Sequence, residues 1–218
     1  MCSSDLAYLV AYDAPVKIPA YVAYTLLPQN ALGCFPRTNA FVADASVPGG
    51  ARPDDYAGTG YDKGHLANNA DLSWDSDVAR ESFYMSNMSP QLPALNRGTW
   101  KELESATRAW VYQTKQSHTI YAGNIYSASS KTIGENKVTV PETLFKVVIN
   151  NETKVSYAYL MPNKADVKSD YDNYQVSVFD IERASGMMLN IPGDKDAKVK
   201  PPEPDLKTIT NDKKRICK

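Results

Sequence analysis

Apolar positions repeat along the chain with two different periods. Runs rich in Tyr, Val and Leu mark strands at 7–12 and 21–27. A further strand is predicted over 119–126. Alternating runs at 144–149 and 154–160 flank Asn150-Asn151-Glu152, the pattern of a hairpin. Residues 175–179 read as another strand, and Asp180 as the cap of a short helix that runs through Ser185 and stops at Gly186. The clearest helix starts near Asn96, which fits an N-cap, and runs towards Lys115. Its Trp100, Leu103, Thr107, Trp110 and Val111 form one stripe. A shorter helix is predicted over 75–84. Between the early strands and the main helix, residues 28–62 carry Pro, Gly, Asn and Asp with little period. They read as a long surface excursion, and loops of that length are usually functional or disordered. Strands and helices do not alternate strictly, which predicts an α+β fold. The expected organisation is a single domain over residues 1–191 and an extended Pro/Lys/Asp-rich tail over 192–218.

Composition narrows the picture. With 43% hydrophobic and 22% charged residues in 218, the chain can build a full core, and it holds no apolar run long enough to span a membrane. Twenty-four basic residues meet 25 acidic ones, so any attraction for nucleic acid must be local. Three cysteines, Cys2, Cys34 and Cys217, are too scattered for a structural zinc site. They allow one disulfide and one thiol, and their placement near the ends predicts an exported, periplasmic or secreted protein. No signal peptide opens the chain. Cys2 before small polar residues also resembles the mature end of a bacterial lipoprotein, an alternative to its pairing.

The candidate chemistry lies in the middle of the chain. His65 follows Gly64 in Asp62-Lys63-Gly64-His65, where a turn can present the ring, and an imidazole is a usable base near neutral pH. On a helical wheel starting at Asn96, Glu104 falls at roughly 80°, at the edge of the apolar stripe, and Glu102 at roughly 240°, on the far side. Glu104 is therefore expected half-buried with a partner, and Glu102 solvated. Arg97, Lys101, Arg108 and Lys115 fall at roughly 100–140°, a basic flank that can follow a phosphate backbone or simply face solvent. His118, at the entry to a strand, has no ligand set beside it and reads as structural.

In order, Asp62–His65, Asn87–Gln91, Leu95–Trp100 and Leu103-Glu104 resemble the motifs of the sugar-non-specific DNA/RNA endonucleases of the ββα-metal superfamily, the Serratia-nuclease-like family. Arg37-Thr38-Asn39 resembles that family's upstream arginine segment, and the likeness covers roughly residues 8 to 190. The resemblance implies a ββα-metal fold, with a mainly antiparallel central sheet flanked by helices. It implies a magnesium-dependent enzyme, with manganese or another divalent ion as a substitute, that cuts DNA and RNA to 5′-phosphate products. By the same resemblance, His65 is the general base and Asn96 the direct metal ligand. Glu104 acts on the metal through water, Arg37 stabilises the transition state, Asn87 supports the site by hydrogen bonding, and Asp62 sets the motif's geometry. Lys63, Arg97, Lys101 and Arg108 would meet nucleic acid. Lys63 departs from the family's usual arginine, keeping the charge and losing the bidentate fork. The competing class is a nucleic-acid-binding relative with weakened catalysis. Partners expected are DNA and RNA, with a homodimer and a protein inhibitor also admitted.

Overall fold

The structure is a computed structural model, and it describes residues 7–217. In chain order the strands are β1 (Leu9–Asp13), β2 (Ile18–Leu26), β3 (Asp62–His65), β4 (Met88–Gln91), β5 (His118–Ile125), β6 (Thr132–Ile133), β7 (Val138–Thr139), β8 (Thr143–Asn150), β9 (Ser156–Pro162) and β10 (Gln175–Val176). The helices are α1 (Asn69–Leu72), α2 (Ser76–Glu81), α3 (Trp100–Thr114), α4 (Val178–Ser185) and α5 (Leu206–Ile216).

Six strands form an antiparallel sheet in the order β1-β2-β5-β8-β9-β10. Its centre is apolar on both faces, and β8 shows why. Leu144 and Val148 point to one face, where they join Leu103, Ala106, Trp110 and Val111 of α3. Phe145, Val147 and Ile149 point to the other, against Val178 and Ile181 of α4. Period-two alternation thus supplies two cores from one strand. Lys146 falls between Leu144 and Val148, on the α3 face, and is 1% exposed. A charge there needs a partner.

A separate pair, β3 and β4, is antiparallel in the register Asp62↔Gln91 to His65↔Met88 and leads into α3. This two-strands-then-helix unit carries the candidate residues. Gly64 is required within it, because a Cβ there would stand 2.2 Å from Cδ of Gln91.

Four local expectations are corrected. Asn96 is not an N-cap: Leu95–Thr99 form a π-helical turn that runs into α3 with a kink at Gly98, and the Asn96 amide donates to the Leu92 carbonyl at 2.9 Å. Ser177, not Asp180, caps α4. Asp180 sits at the third helical position and completes a reciprocal capping box, while Gly186 ends the helix in the left-handed conformation as expected. The strand predicted at 175–179 accordingly stops at Val176. The tail is not extended throughout. It carries α5, capped by Asp205 and packed on α3 through the Tyr112 hydroxyl, which donates to Asp212 at 2.7 Å. Cys217, at its end, is disulfide-bonded to Cys34, with Cα atoms 5.0 Å apart. Cys2, and the lipoprotein reading of it, lie outside the described residues.

Candidate active site

Backbone register places His65 at the end of β3, and Asn87 holds it there. The Asn87 side chain is fully buried. Its oxygen accepts from the Ala67 amide at 2.8 Å, and its NH2 donates to the carbonyls of Ala67 (2.9 Å) and Ser82 (2.8 Å). One side chain thereby replaces a strand partner for the segment just after His65. Asn87 supports the site from behind and does not line the cleft.

His65 packs between two phenylalanines. Its ring lies edge-on to Phe83 at 5.0 Å and tilted to Phe41 at 5.6 Å. Phe41 reaches it from the long excursion, which is tied back by the Val42 amide donating to Phe83 and the Met85 amide donating to Val42. Two cations complete this aromatic cluster: Arg37 lies 5.1 Å over Phe83, and the Lys63 ammonium 5.2 Å from the Phe41 ring. His65 Nε2 is sealed from solvent and has no hydrogen-bond partner. Burial, with the nearby Arg37 charge, pushes its pKa down to about 3, so the ring is neutral at any ordinary pH.

Asp62, at the start of β3, ties the hairpin to the π-turn. Its carboxylate accepts from the Asn96 NH2 at 2.9 Å and from Arg97 through two bonds, at 2.8 and 2.6 Å. These donors hold the Asp62 carboxyl below the usual carboxylate range, against the opposing effect of partial burial. The bond also fixes which way the Asn96 amide points. A carboxylate accepts only from the nitrogen side, so the amide oxygen is left for another ligand.

Glu104 is 9% exposed, more buried than its wheel position implied. Burial raises its pKa, and Lys146 opposes that rise from 3.7 Å away. The Lys146 ammonium also lies 4.5 Å from the Trp100 ring. Beside this pair, buried Asp71 accepts from the Tyr24 hydroxyl at 2.7 Å and from Arg108 at 3.0 Å. Lys146, Asp71 and Tyr24 escaped the sequence reading, as did the Phe41–Phe83 clamp. Lys146 was findable, since it is the one charge in the apolar run 144–149.

These groups converge. One cleft of about 430 Å³ is lined by Arg37, Lys63, His65, Asn68, Ala70, Asn96, Arg97, Lys101, Glu104 and Arg108. Of the sequence-predicted site residues, only Asp62 and Asn87 lie behind the lining. Arg97 and Arg108 each already pair with a carboxylate, Asp62 and Asp71, whereas Lys63 and Lys101 have no carboxylate partner among the described residues. His118 is buried, its Nδ1 3.0 Å from the Gln116 carbonyl, and takes no part. A larger groove of about 1050 Å³ beside β1 contains none of the candidate residues.

No group of three His, Cys, Asp or Glu among the described residues forms a metal cage. What the cleft offers is the Asn96 amide oxygen and the Glu104 carboxylate, both hard donors, while the Asn68 oxygen already accepts from the Ala70 amide at 2.9 Å. That set suits an ion which keeps most of its water, as magnesium does, and does not suit zinc.

Two consequences can be measured. His65 is neutral when folded down to about pH 3, whereas an unfolded histidine gains its proton near 6.5. Below that pH the unfolded chain binds the extra proton, so stability falls as pH drops, by roughly 1.4 kcal/mol per unit from this residue. Urea denaturation of the protein and of His65→Phe at pH 7 and pH 5 should show a shallower decline in the variant; parallel declines would refute the buried neutral ring. Second, Lys146→Met leaves Glu104 buried without its counter-charge and is expected to lower stability by roughly 3–5 kcal/mol. A change under about 1 kcal/mol in the same assay would show that the pair contributes little.

Comparison with known proteins agrees with this geometry. Residues 3–196 match the family model described as DNA/RNA non-specific endonuclease. The chain is 32% identical to mitochondrial endonuclease G of Bos taurus, over 85% of this chain and 68% of that one. It is 34% identical to a nuclease of Nostoc sp., over 82% and 69%. Among solved structures it resembles the endonuclease G of a complex with EndoGI, which concerns inhibition, with a TM-score of 0.77 and 26% identity over 86% of this chain and 84% of that one. The antiparallel sheet, the two-strand hairpin feeding α3 and these matches together make the chain a member of the DNA/RNA non-specific endonuclease family, and an enzyme that acts as a nuclease.

Proposed function

We propose that the protein hydrolyses phosphodiester bonds of DNA and RNA, without sequence preference, using one hydrated divalent ion, magnesium by preference, and leaving 5′-phosphate and 3′-hydroxyl ends. The convergence of His65, Asn96 and Glu104 in one cation-lined cleft carries this reading.

Arg37, Lys63 and Lys101 attract and hold the phosphate backbone, and so set position rather than sequence. His65, neutral in its phenylalanine clamp, takes a proton from the attacking water at Nδ1, the ring nitrogen that is not sealed. Its low pKa keeps the ring unprotonated and ready, and a phosphodiester bound against it brings negative charge that strengthens it as a base. Arg37 faces the charge that builds on the non-bridging oxygens as the bond to the 3′-oxygen breaks. Asn96 through its oxygen, and Glu104 through a bridging water, would hold the ion, whose charge offsets that of the leaving oxygen. Asp62 keeps the Asn96 oxygen turned outward, and Lys146 keeps the Glu104 carboxylate in place.

The remaining context follows the same reading. The Cys34–Cys217 bridge supports an oxidising compartment, periplasmic or extracellular. None of the described helices is long and apolar enough to cross a membrane. A protein inhibitor fits as a partner because the solved relative was captured with one.

His65→Ala should lower plasmid cleavage at least roughly 100-fold while binding of nucleic acid to the chelated protein persists. Chelator should abolish the wild-type rate, and added magnesium should restore it. A folded His65→Ala variant that cleaves at near the wild-type rate would remove the ring from the chemistry.

A further inference from the structure

Helix α5 lies beyond residue 196, where the family model ends. Three attachments fix where its C-terminal end sits. Cys217 is bonded to Cys34, Lys213 donates to the Gly33 carbonyl at 2.6 Å, and Asp212 accepts from Tyr112 of α3. Residues 33 and 34 lead directly to Arg37. Three residues of chain span at most about 11 Å, so the end of α5 lies within roughly 16 Å of the Arg37 backbone.

Charge along this end is one-sided. Lys213 stands close enough to Arg108, which lines the cleft, for the two cations to repel: burial first, then Arg108, lowers the Lys213 pKa. Lys214 is exposed and has neither an ion pair nor a side-chain hydrogen bond among the described residues. Lys115 and Arg215 continue the patch near Asp212. The two acids in the neighbourhood are already engaged, Asp71 by Tyr24 and Arg108, and Asp212 by Tyr112 and Arg215. Cations in the last turn of a helix complement its dipole. That accounts for their place on α5 and not for the anchoring of that turn beside the cleft.

We propose that the C-terminal half of α5 is a second phosphate-backbone site, in which Lys213 and Lys214 hold the nucleic acid a few nucleotides away from the bond seated in the cleft. The inference rests on the nuclease reading and adds an exit track to it. That ceiling of roughly 16 Å corresponds to at most about four or five nucleotides at 3.4 Å per nucleotide of one strand. A dinucleotide seated in the cleft does not reach α5, and a long duplex engages both.

Fluorescence anisotropy in chelator, which prevents cleavage, tests this with a 20-base-pair duplex and a dinucleotide. Lys214→Glu changes an exposed, unpartnered side chain, and Arg183→Glu on α4, across the sheet, makes the same change of charge as a control. At low salt Lys214→Glu should bind the duplex about tenfold more weakly, flatten the slope of log K against log salt by about one, and lower the ratio of duplex to dinucleotide affinity. Arg183→Glu should leave that ratio within twofold of wild type. The proposal is overturned if Lys214→Glu behaves like Arg183→Glu, or if it weakens both ligands equally. A purely dipolar role would move the melting temperature and leave the salt slope alone, which also overturns it. A wild-type protein that bound neither ligand would instead remove the nuclease reading on which the proposal stands, whereas wild-type binding with an unchanged Lys214→Glu ratio removes the α5 site alone.

Discussion

The Asp62 carboxylate is the joint on which the site depends. β3 brings His65, and the π-turn before α3 brings Asn96, from elements more than 30 residues apart in sequence. A single side chain accepts from Asn96 and from Arg97 and so fixes the hairpin against the helix. The same bond sets the amide the right way round. A different acceptor, a backbone carbonyl for instance, would make equal demands on the NH2, but only a charged one also recruits Arg97 and makes both bonds strong. Without this joint, the turn that carries Asn96 would lose its side-chain tie to the strand that carries His65.

Below the joint, the cleft is organised by desolvation. His65 is kept neutral because its phenylalanine surroundings cannot solvate a charge. Glu104 lies equally deep, yet a lysine from the sheet beneath is set against it. Two buried titratable groups are thus set apart in charge, one an uncharged ring and the other a carboxylate facing a counter-ion. The sheet supplies rigidity to both, since Lys146 sits in the middle of β8, bonded to strands on each side. Above this floor the cations Arg37, Lys63 and Lys101 give a chain of nearly balanced charge a local attraction for phosphate.

Much of this was legible in the sequence, for physical reasons that differ from residue to residue. The α3 stripe was clear because a 15-residue amphipathic helix repeats its signal four times, and the wheel separated Glu104 from Glu102 by that signal alone. The β8–β9 hairpin announced itself through two-residue alternation around a polar turn. The π-turn could not be read, because widening a helix by one residue changes hydrogen-bond partners without changing the local residue pattern, and Asn96 resembles a cap in either case. The partnership of Cys34 with Cys217 spans 183 residues and has no local signature. The tail hid α5 because Pro, Lys and Asp dominate its composition, and the helix buries only Ile209 while attachments to α3 and to the Gly33–Cys34 turn hold its far end. The Phe41–Phe83 clamp is a product of tertiary packing between a loop and a turn, which periodicity does not encode.

The central claim is that the outward oxygen of Asn96 holds the ion while His65 handles the proton. Titration of manganese, followed by its electron paramagnetic resonance signal, reads this directly and without turnover. Wild-type protein should bind one ion per chain, His65→Ala should bind it as well as wild type, and Asn96→Ala should bind it at least about tenfold more weakly. Equal manganese affinity in wild type and Asn96→Ala would contradict the account.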